Sequence, residues 1–396
     1  MTVLKNGWVG QVISSFSGSL EGKEQGCSQK LKILLYNWRD VHNPDAGGAE
    51  VLTHQILKRV VERGHDVTMF SAAFTDCEKF EVVDGIKIYR AGNRWTVYRA
   101  AKRFFRSREE KFDVIIDEIN TVPFMTPNFV KEREKIVVLI HQLAREFWYY
   151  ETPFPINCLG YHFFERHWLK KYQNIPLITV SESTKNDLIN WGFNDIYLIP
   201  EGIDYSPLDS VPLKESKPTL VYVGRFKRAK RPHHALKAFT LAKISMPDLQ
   251  LWMIGDGYCR EKLQKLYTSP DIHFFGRLPQ SEKNRLVSRA HAIVVPAVRE
   301  GWGLVVTEAN ALGTMAIGYD VNGLRDSIKN KSTGILCSPN PSSMASKIVE
   351  LFSSPELIEI FSSQALVDSR KYTWDAATDV FLEHLEHIVS INKLKA

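Results

Sequence analysis

The stretch VPAVREGWGLVVTEANALG, Val295–Gly313, joins the end of a short apolar run, AIVVPA, to a glycine-bearing loop and then to a helix expected to start near Leu304. A buried strand that turns at once through glycines into a helix is the repeating unit of a doubly wound parallel sheet. In such sheets ligands bind beyond the carboxyl ends of the strands. The N–H groups of Gly303, Leu304 and Val305 stand at the helix start, where no intrahelical acceptor reaches them, and can receive a phosphate. Gly301 and Gly303 permit close backbone approach to a ligand. Glu300 in the loop and Glu308 eight residues further on offer two carboxylates, good acceptors for the hydroxyls of a sugar and of a ribose. The plainer alternative is a loop charge and a surface helix residue.

The same grammar extends outward on both sides. TLVYVG, LQLWMIG, IHFFG, AIVVPA, TMAIGY and GILC read as strands, with RPHHALKAFTLAKIS and CREKLQKLYTS as helices between them. Earlier in the chain KILLYNW, HDVTMFSA, IKIYRA, DVIIDE and KIVVLIH read as strands. EVLTHQILKRVVERG places Val51, Leu52, Ile56, Leu57, Val60 and Val61 at helical spacing and ends at Gly64, a suitable C-cap. Short apolar strands separated by helices predict parallel pairing with both sheet faces covered. Between the halves, PEGIDYSPLDSVPLKESKP is rich in Pro, Ser and charge and reads as an exposed linker. The organisation expected is a flexible leader over residues 1–30, one Rossmann-like domain over 31–200, and a second over 201–374. A terminal helix follows, with Val380, Phe381, Leu385, Ile388 and Val389 on one face, able to pack on either domain.

The length, 396 residues, suits two domains, and 44% hydrophobic with 24% charged residues excludes wholesale disorder. No apolar run reaches the roughly 18 residues of a membrane span. The first residues lack a compact apolar run with a cleavage site, so no signal peptide is expected and the cytoplasm is the default location. The net charge of +6 is mildly basic and, as a solvated surface, does not imply nucleic acid. Five separated cysteines, Cys27, Cys77, Cys158, Cys259 and Cys337, form no C-x-x-C pair and are expected to be buried free thiols.

Four further features carry candidate chemistry. In YVGRFKRAKRP, Arg225 leaves a strand end and Lys230 precedes a helix beginning at Pro232. Two cations beside a helix N-terminus make an anion site, bidentate from Arg225 and point-charge from Lys230. A solvated basic helix start is the competing reading. Gly47 and Gly48 follow the first strand, but G-x-G-x-x-G is absent, which disfavours a dinucleotide fold. His141 closes the strand KIVVLI at its carboxyl edge, where a cleft residue would sit, although a lone His is more often structural. The chain has no Asp-X-Asp triplet, no metal-spaced His/Asp/Glu cluster and no G-x-S-x-G, so no metal and no hydrolase elbow is expected. Two aromatic-basic stretches, WTVYRAAKRFFRSREEK and AREFWYYETPFPINCLGYHFFERHWLKKY, suit either an anionic membrane surface or a core with a solvated face.

The ordered set of GGAE, VSESTKNDL, PEGID, VGRF with Lys230, IGDG, FFGRLP, EGWGLVVTE and GYDVNGL resembles the retaining glycosyltransferases of family 4. In that family the penultimate pair forms the E-x7-E signature. The resemblance runs from Leu31 to the terminal helix. It implies the α/β GT-B fold: two doubly wound Rossmann-like domains facing each other across a cleft, with residues 375–396 crossing back to the first domain. It implies that Arg225 and Lys230 hold the donor diphosphate and that Glu308 binds the ribose. Glu300, Gly301, Trp302 and His141 would line the transferred sugar, and Gly48 would let the first domain approach the donor. Gln142, Arg231 and Glu201 stand where many members carry Asp, Gly and Asn. The implied activity is metal-independent transfer of a hexose-type sugar, with retention, from a nucleotide diphosphate-sugar to a hydroxyl of a glycan or lipid-linked saccharide. No cofactor is implied. A UDP-sugar is the first expectation and a GDP-sugar the second, with contact at the inner face of an anionic membrane and no nucleic acid partner. A GT-B nucleotide-sugar epimerase or phosphorylase is the alternative, and a non-catalytic nucleotide-sugar or membrane-binding module a third.

Overall fold

The computed structural model describes residues 30–395, so the leader assigned to residues 1–30 and Cys27 lie, but for Lys30, outside the described residues. The first half builds β1 (Lys32–Tyr36), β2 (Asp66–Ser71), β3 (Phe80–Val83), β4 (Ile86–Arg90), β5 (Val114–Glu118), β6 (Ile136–Ile140), β7 (Leu177–Thr179) and β8 (Ile196–Leu198). These form one sheet in the order β3-β4-β2-β1-β5-β6-β7-β8. All neighbours are parallel except β3 against β4. The continuous apolar run of β1 is explained by its position: Ile33 and Leu35 enter one core layer, Leu34 and Tyr36 the other. The helix Gly48–Glu62 covers the first of these layers through Leu52, Ile56 and Val60, and it stops where Gly64 turns left-handed at φ +94°.

The second half builds β9 (Thr219–Val223), β10 (Gln250–Ile254), β11 (Ile272–Gly276), β12 (Ala292–Val295), β13 (Met315–Tyr319) and β14 (Gly334–Cys337). Their order is β11-β10-β9-β12-β13-β14, all parallel. Strand faces alternate again, with Leu220 and Tyr222 in one layer and Val221 in the other.

The terminal helix Trp374–Lys395 packs on the first sheet, not the second: Trp374, Ala377, Phe381, Leu385 and Ile388 complete the core of Ile33 and Leu52. The chain thus crosses between the sheets twice. The two crossings run together, with Ile203 bridging Thr373 and Trp374 Nε1 donating to Asp204 Oδ1 at 2.7 Å. A Cβ at Gly202 would lie 2.4 Å from the Trp374 ring, so only glycine fits there.

Three expectations need correction. The linker is not exposed throughout: Glu201, Gly202 and Ile203 are buried. Lys214 Nζ donates to the carbonyls of Ser288 and Gly313 and to Thr314 Oγ1. A segment that crosses between two packed units lies in their seam, whatever its composition. Second, only Cys337 among the described cysteines is buried; Cys77, Cys158 and Cys259 are half-buried on surface elements. Third, β3 joins its neighbour antiparallel through Asp84 and Gly85, both at positive φ, the geometry of a two-residue hairpin turn. Among the described residues no helix is long and apolar enough to cross a membrane.

Candidate functional site

The residues that follow the carboxyl ends of β1, β6, β9 and β12 meet in one seam between the two sheets. From the second sheet, β9 releases Arg225, whose Nη1 donates to the carbonyl of Asp45 in the loop after β1, at 3.2 Å. A Cβ on Gly47 would stand 3.0 Å from Arg225 Nη2, so it is Gly47 rather than Gly48 that accommodates the guanidinium. Gly48 instead faces Leu304, its imagined Cβ 3.2 Å from Leu304 Cδ1. Lys230 closes a short turn before the helix Pro232–Lys243, and Arg231 at φ +48° makes the corner. Lys230 Nζ donates to both oxygens of Glu300, each at 2.6 Å.

Glu300 leaves β12 and its N–H donates to the carbonyl of Asn322 at 3.0 Å, which fixes the loop. Gly303, at φ +104°, starts the helix Leu304–Ala311 in a conformation that disfavours a side chain. Glu308 lies on that helix and accepts from Lys283 Nζ at 2.8 Å. Gly301 sits directly against the first unit: a Cβ there would be 2.7 Å from the main-chain oxygen of His141. The Trp302 side chain packs against the core of the first unit. Its Nε1 donates to Thr307 Oγ1 at 2.8 Å and the ring packs edge-on against Tyr372, 5.5 Å between centroids.

The first unit contributes carboxylates around one imidazole. His141 follows β6 and its Nε2 lies 3.1 Å from Oε1 of Glu118, the last residue of β5. Burial works against a charge on His141, but the bond to Glu118 and the field of Glu118 lead the opposing effects, which raise its pKa. Burial also raises Glu118, with His141 opposing, so the proton is retained within the pair. Glu50 accepts from Arg39 Nε at 2.9 Å and from the N–H of Gly47 at 2.7 Å, capping its own helix. Glu201 is 4% exposed beside them, and burial pushes its carboxyl up to about 8. Among the described residues no group of three or more His, Cys, Asp or Glu is placed to hold a metal ion.

Several residues that close the seam carry no mark in the sequence. Arg299, next to Glu300, donates to Glu146 at 2.8 Å and to Asp187 at 2.7 Å, both from the first unit. Asn322 Nδ2 donates to the same Asp187, and Ser183 Oγ accepts from the N–H of Gly323. Glu151 accepts from the N–H of Ala229 at 3.0 Å, beside Lys230. These acids lie over a hundred positions from Arg299, and no spacing rule links them. The aromatic-basic stretch that supplies Glu146 and Glu151 divides in two. Trp148, Leu169 and Tyr172 are buried, anchored where Glu165 accepts from the N–H groups of Ala144 and Arg145. Tyr149, Phe154, Ile156 and Phe163 are exposed.

Comparison with known proteins adds the following. Residues 46–206 match the model of Glycosyltransferase Family 4, and residues 208–366 that of Glycosyl transferases group 1. An uncharacterized glycosyltransferase of Methanocaldococcus jannaschii is 24% identical over 382 residues, 87% of this chain and 95% of that protein. The structure of sucrose-phosphate synthase from Thermosynechococcus elongatus is similar at a TM-score of 0.74 and 19% identity, over 91% of this chain and 100% of that one. Anabaena HepE, solved in complex with UDP-glucose, gives 0.67 at 16% identity, over 90% of this chain and 100% of that one. Two parallel-sheet α/β units with such neighbours make the GT-B fold.

Proposed function

The chain belongs to the family 4 glycosyltransferases and is a sugar-transferring enzyme; on that premise we propose that it moves a hexose-type sugar from a nucleotide diphosphate-sugar to a hydroxyl of a glycan or lipid-linked saccharide. In this reading the anomeric configuration is retained and no metal ion takes part. Residues 201–374 form the donor side, and residues 31–200 with the terminal helix form the acceptor side. A UDP-sugar is the first donor to try, supported by the UDP-glucose of HepE, and a GDP-sugar the second.

One observation carries the proposal. Arg225, the Lys230–Glu300 pair and the start of the helix Leu304–Ala311 meet Gly47 and His141 of the other unit in a single seam. Arg225 and Lys230 supply the charge that a diphosphate needs, and the N–H groups of Gly303, Leu304 and Val305 add the positive end of a helix. Lys230 exchanges Glu300 for the phosphate, which leaves Glu300 to accept from sugar hydroxyls. Glu308, oriented by Lys283, accepts from the ribose. His141 and the main chain of Gly301 and Trp302 border the sugar, and Gly48 lets the first unit close.

The bond between the anomeric carbon and the diphosphate oxygen breaks, and its electron pair stays on the phosphate. The acceptor oxygen bonds to the same carbon from the same face, and its proton passes to the departing phosphate. The preorganised cations offset the charge that develops on the leaving group, and loss of one such group typically costs about 10²–10³ in rate.

The test is a panel of UDP- and GDP-sugars read by thermal shift and by slow donor hydrolysis, with Lys230→Ala as the control. The expected result is stabilisation by one nucleotide class and a loss of about 10²–10³ in turnover for the variant. Near-wild-type turnover in Lys230→Ala overturns the reading. Turnover that EDTA abolishes overturns the metal-free part of it.

Contact with an anionic membrane belongs to the same reading. Arg99, Arg103 and Arg106 are exposed on the helix Val97–Arg106, and Trp95, 75% exposed, precedes them. Phe154 and Phe163 are 80% and 64% exposed. Aromatic groups that enter the headgroup layer beside arginines that meet lipid phosphates suit that surface. Flotation with anionic vesicles that is lost at high salt is the expected outcome, and no flotation removes the membrane.

A further inference from the structure

Glu201 is a buried titratable group that this transfer scheme leaves unused. It lies where the chain first crosses between the sheets, between Pro200 and Gly202. It is 4% exposed, and its Oε2 has no hydrogen-bond partner. An ionised carboxylate in such a place is strongly disfavoured unless a cation or several donors meet it.

The charged groups around it are already committed. His141, at the end of β6, is the group whose charge acts on Glu201, and its ring is engaged by Glu118 from β5. Glu118 Oε2 is itself buried without a partner. Glu50, on the helix Gly48–Glu62, is neutralised by Arg39 in the loop after β1, at 2.7 Å. Asp204, in the same crossing, is turned to Trp374. Arg39 and His141 are thus each already paired with a carboxylate, Glu50 and Glu118. A third anion at Glu201 would find no counterpart among the described residues.

We propose that Glu201 is a positioning residue of the transfer site, standing beside His141 as the neutral acid so that the imidazolium answers to Glu118 alone. When Glu201 ionises, its charge competes with Glu118 for the ring and disturbs the orientation of His141. Burial that pushes the Glu201 carboxyl up to about 8 sets this change on the alkaline side of neutrality. The link to transfer rests on the placing of His141 at the sugar.

Three measurements on wild type and Glu201→Gln test this. The first is thermal stability against pH. The unfolded state releases this proton near pH 4.3, while the folded state keeps it to about 8. Wild type therefore loses stability relative to Glu201→Gln as pH rises from about 4.3 to 8, and the gap is constant beyond. Parallel stability curves over that range overturn the neutral acid. The second is the imidazole NMR signal of His141, assigned by its loss in His141→Gln. Its titration should carry an inflection near pH 8 in wild type that is missing in Glu201→Gln, and an identical titration in both overturns the positioning role. The third is donor turnover. Wild type should fall between pH 7 and 9, whereas the ratio of the two rates in Glu201→Gln stays level. If no donor is turned over at any pH, the transferase reading fails, and the first two measurements still decide the state of Glu201.

Discussion

The two walls of the seam hold their charges in opposite ways. On the second unit's side, cations are clamped by carboxylates within reach of solvent: Lys230 and Glu300 are 26% and 12% exposed, Lys283 and Glu308 17% and 24%. On the first unit's side, Glu118 is fully buried and His141 is 9% exposed. An accessible pair can exchange partners at modest cost, because water screens each ion while it changes hands. A buried pair cannot, because either ion left alone keeps its full desolvation penalty. The second unit's wall is thus built to release its cations, and the first unit's wall to keep its His141–Glu118 pair together.

The largest effect that separates the walls is on stability. Glu118→Gln leaves a buried imidazolium without its counter-charge and should cost roughly 3 kcal/mol in urea unfolding at neutral pH. Lys230→Ala, which breaks an equally short pair, should cost under about 1 kcal/mol, because its partner keeps contact with water. Because His141 is raised by the Glu118 pair, the stability it contributes is present below its unfolded pKa and is lost as pH rises through the folded value. The deficit of Glu118→Gln should shrink accordingly as the solution is made alkaline. Equal losses for the two variants would mean that the walls are not different in kind.

The next effect is on the approach of the walls. A Cβ at Gly301 would meet the His141 carbonyl at 2.7 Å, a main-chain atom fixed by β6. At Gly47 it would meet the tip of Arg225 at 3.0 Å, which can swing aside. Gly301→Ala should therefore lower kcat/KM about a hundredfold, the typical result of a misplacement near 1 Å, and lower the melting temperature as well, since packed backbone must shift. Gly47→Ala should do less. The measurement is steady-state transfer beside a thermal melt, and a reversed order would show that Arg225, not the loop of Gly301, sets how far the seam closes.

These residues also mark how much the sequence discloses. The turn of Val295–Gly313 was legible because a β-run, two glycines and a helix leave local signals, and the helix does begin at Leu304. The strands from β9 to β14 were legible for the same reason. β7 and β8 have three residues each, too few for any periodicity to register. The hairpin of β3 and β4 carries a signal in Asp84-Gly85, a dipeptide suited to a two-residue turn. Arg225, Lys230, Glu300, Glu308 and His141 could be picked out as strand-end and helix-start groups. Their partners could not. Glu118, Glu146, Asp187 and Lys283 are ordinary charges on ordinary elements, and only the meeting of two sheets tells which ion pair crosses the seam and which lies within one wall. The contacts of the Trp302 ring with Thr307 and Tyr372 were equally invisible in the sequence.

The smallest effect sharpens the donor wall itself. Lys283, on the helix Gln280–Arg289, touches Glu308 Oε2 at 2.8 Å, and under the proposed function it would act on the ribose only through that carboxylate. Lys283→Met keeps the apolar stem that packs beside Glu308 and removes the charge. A half-buried pair of this kind is worth about 1 kcal/mol, roughly fivefold in an equilibrium constant. The variant should raise KM for the donor about that much and leave kcat nearly unchanged, because orientation of the ribose acts alike on the bound ground state and the transition state. Glu308→Ala, which removes the acceptor outright, should raise KM further in the same direction. A fall in kcat at constant KM for Lys283→Met would place the lysine at the departing phosphate, and the donor wall would then hold three catalytic cations rather than two cations and a support.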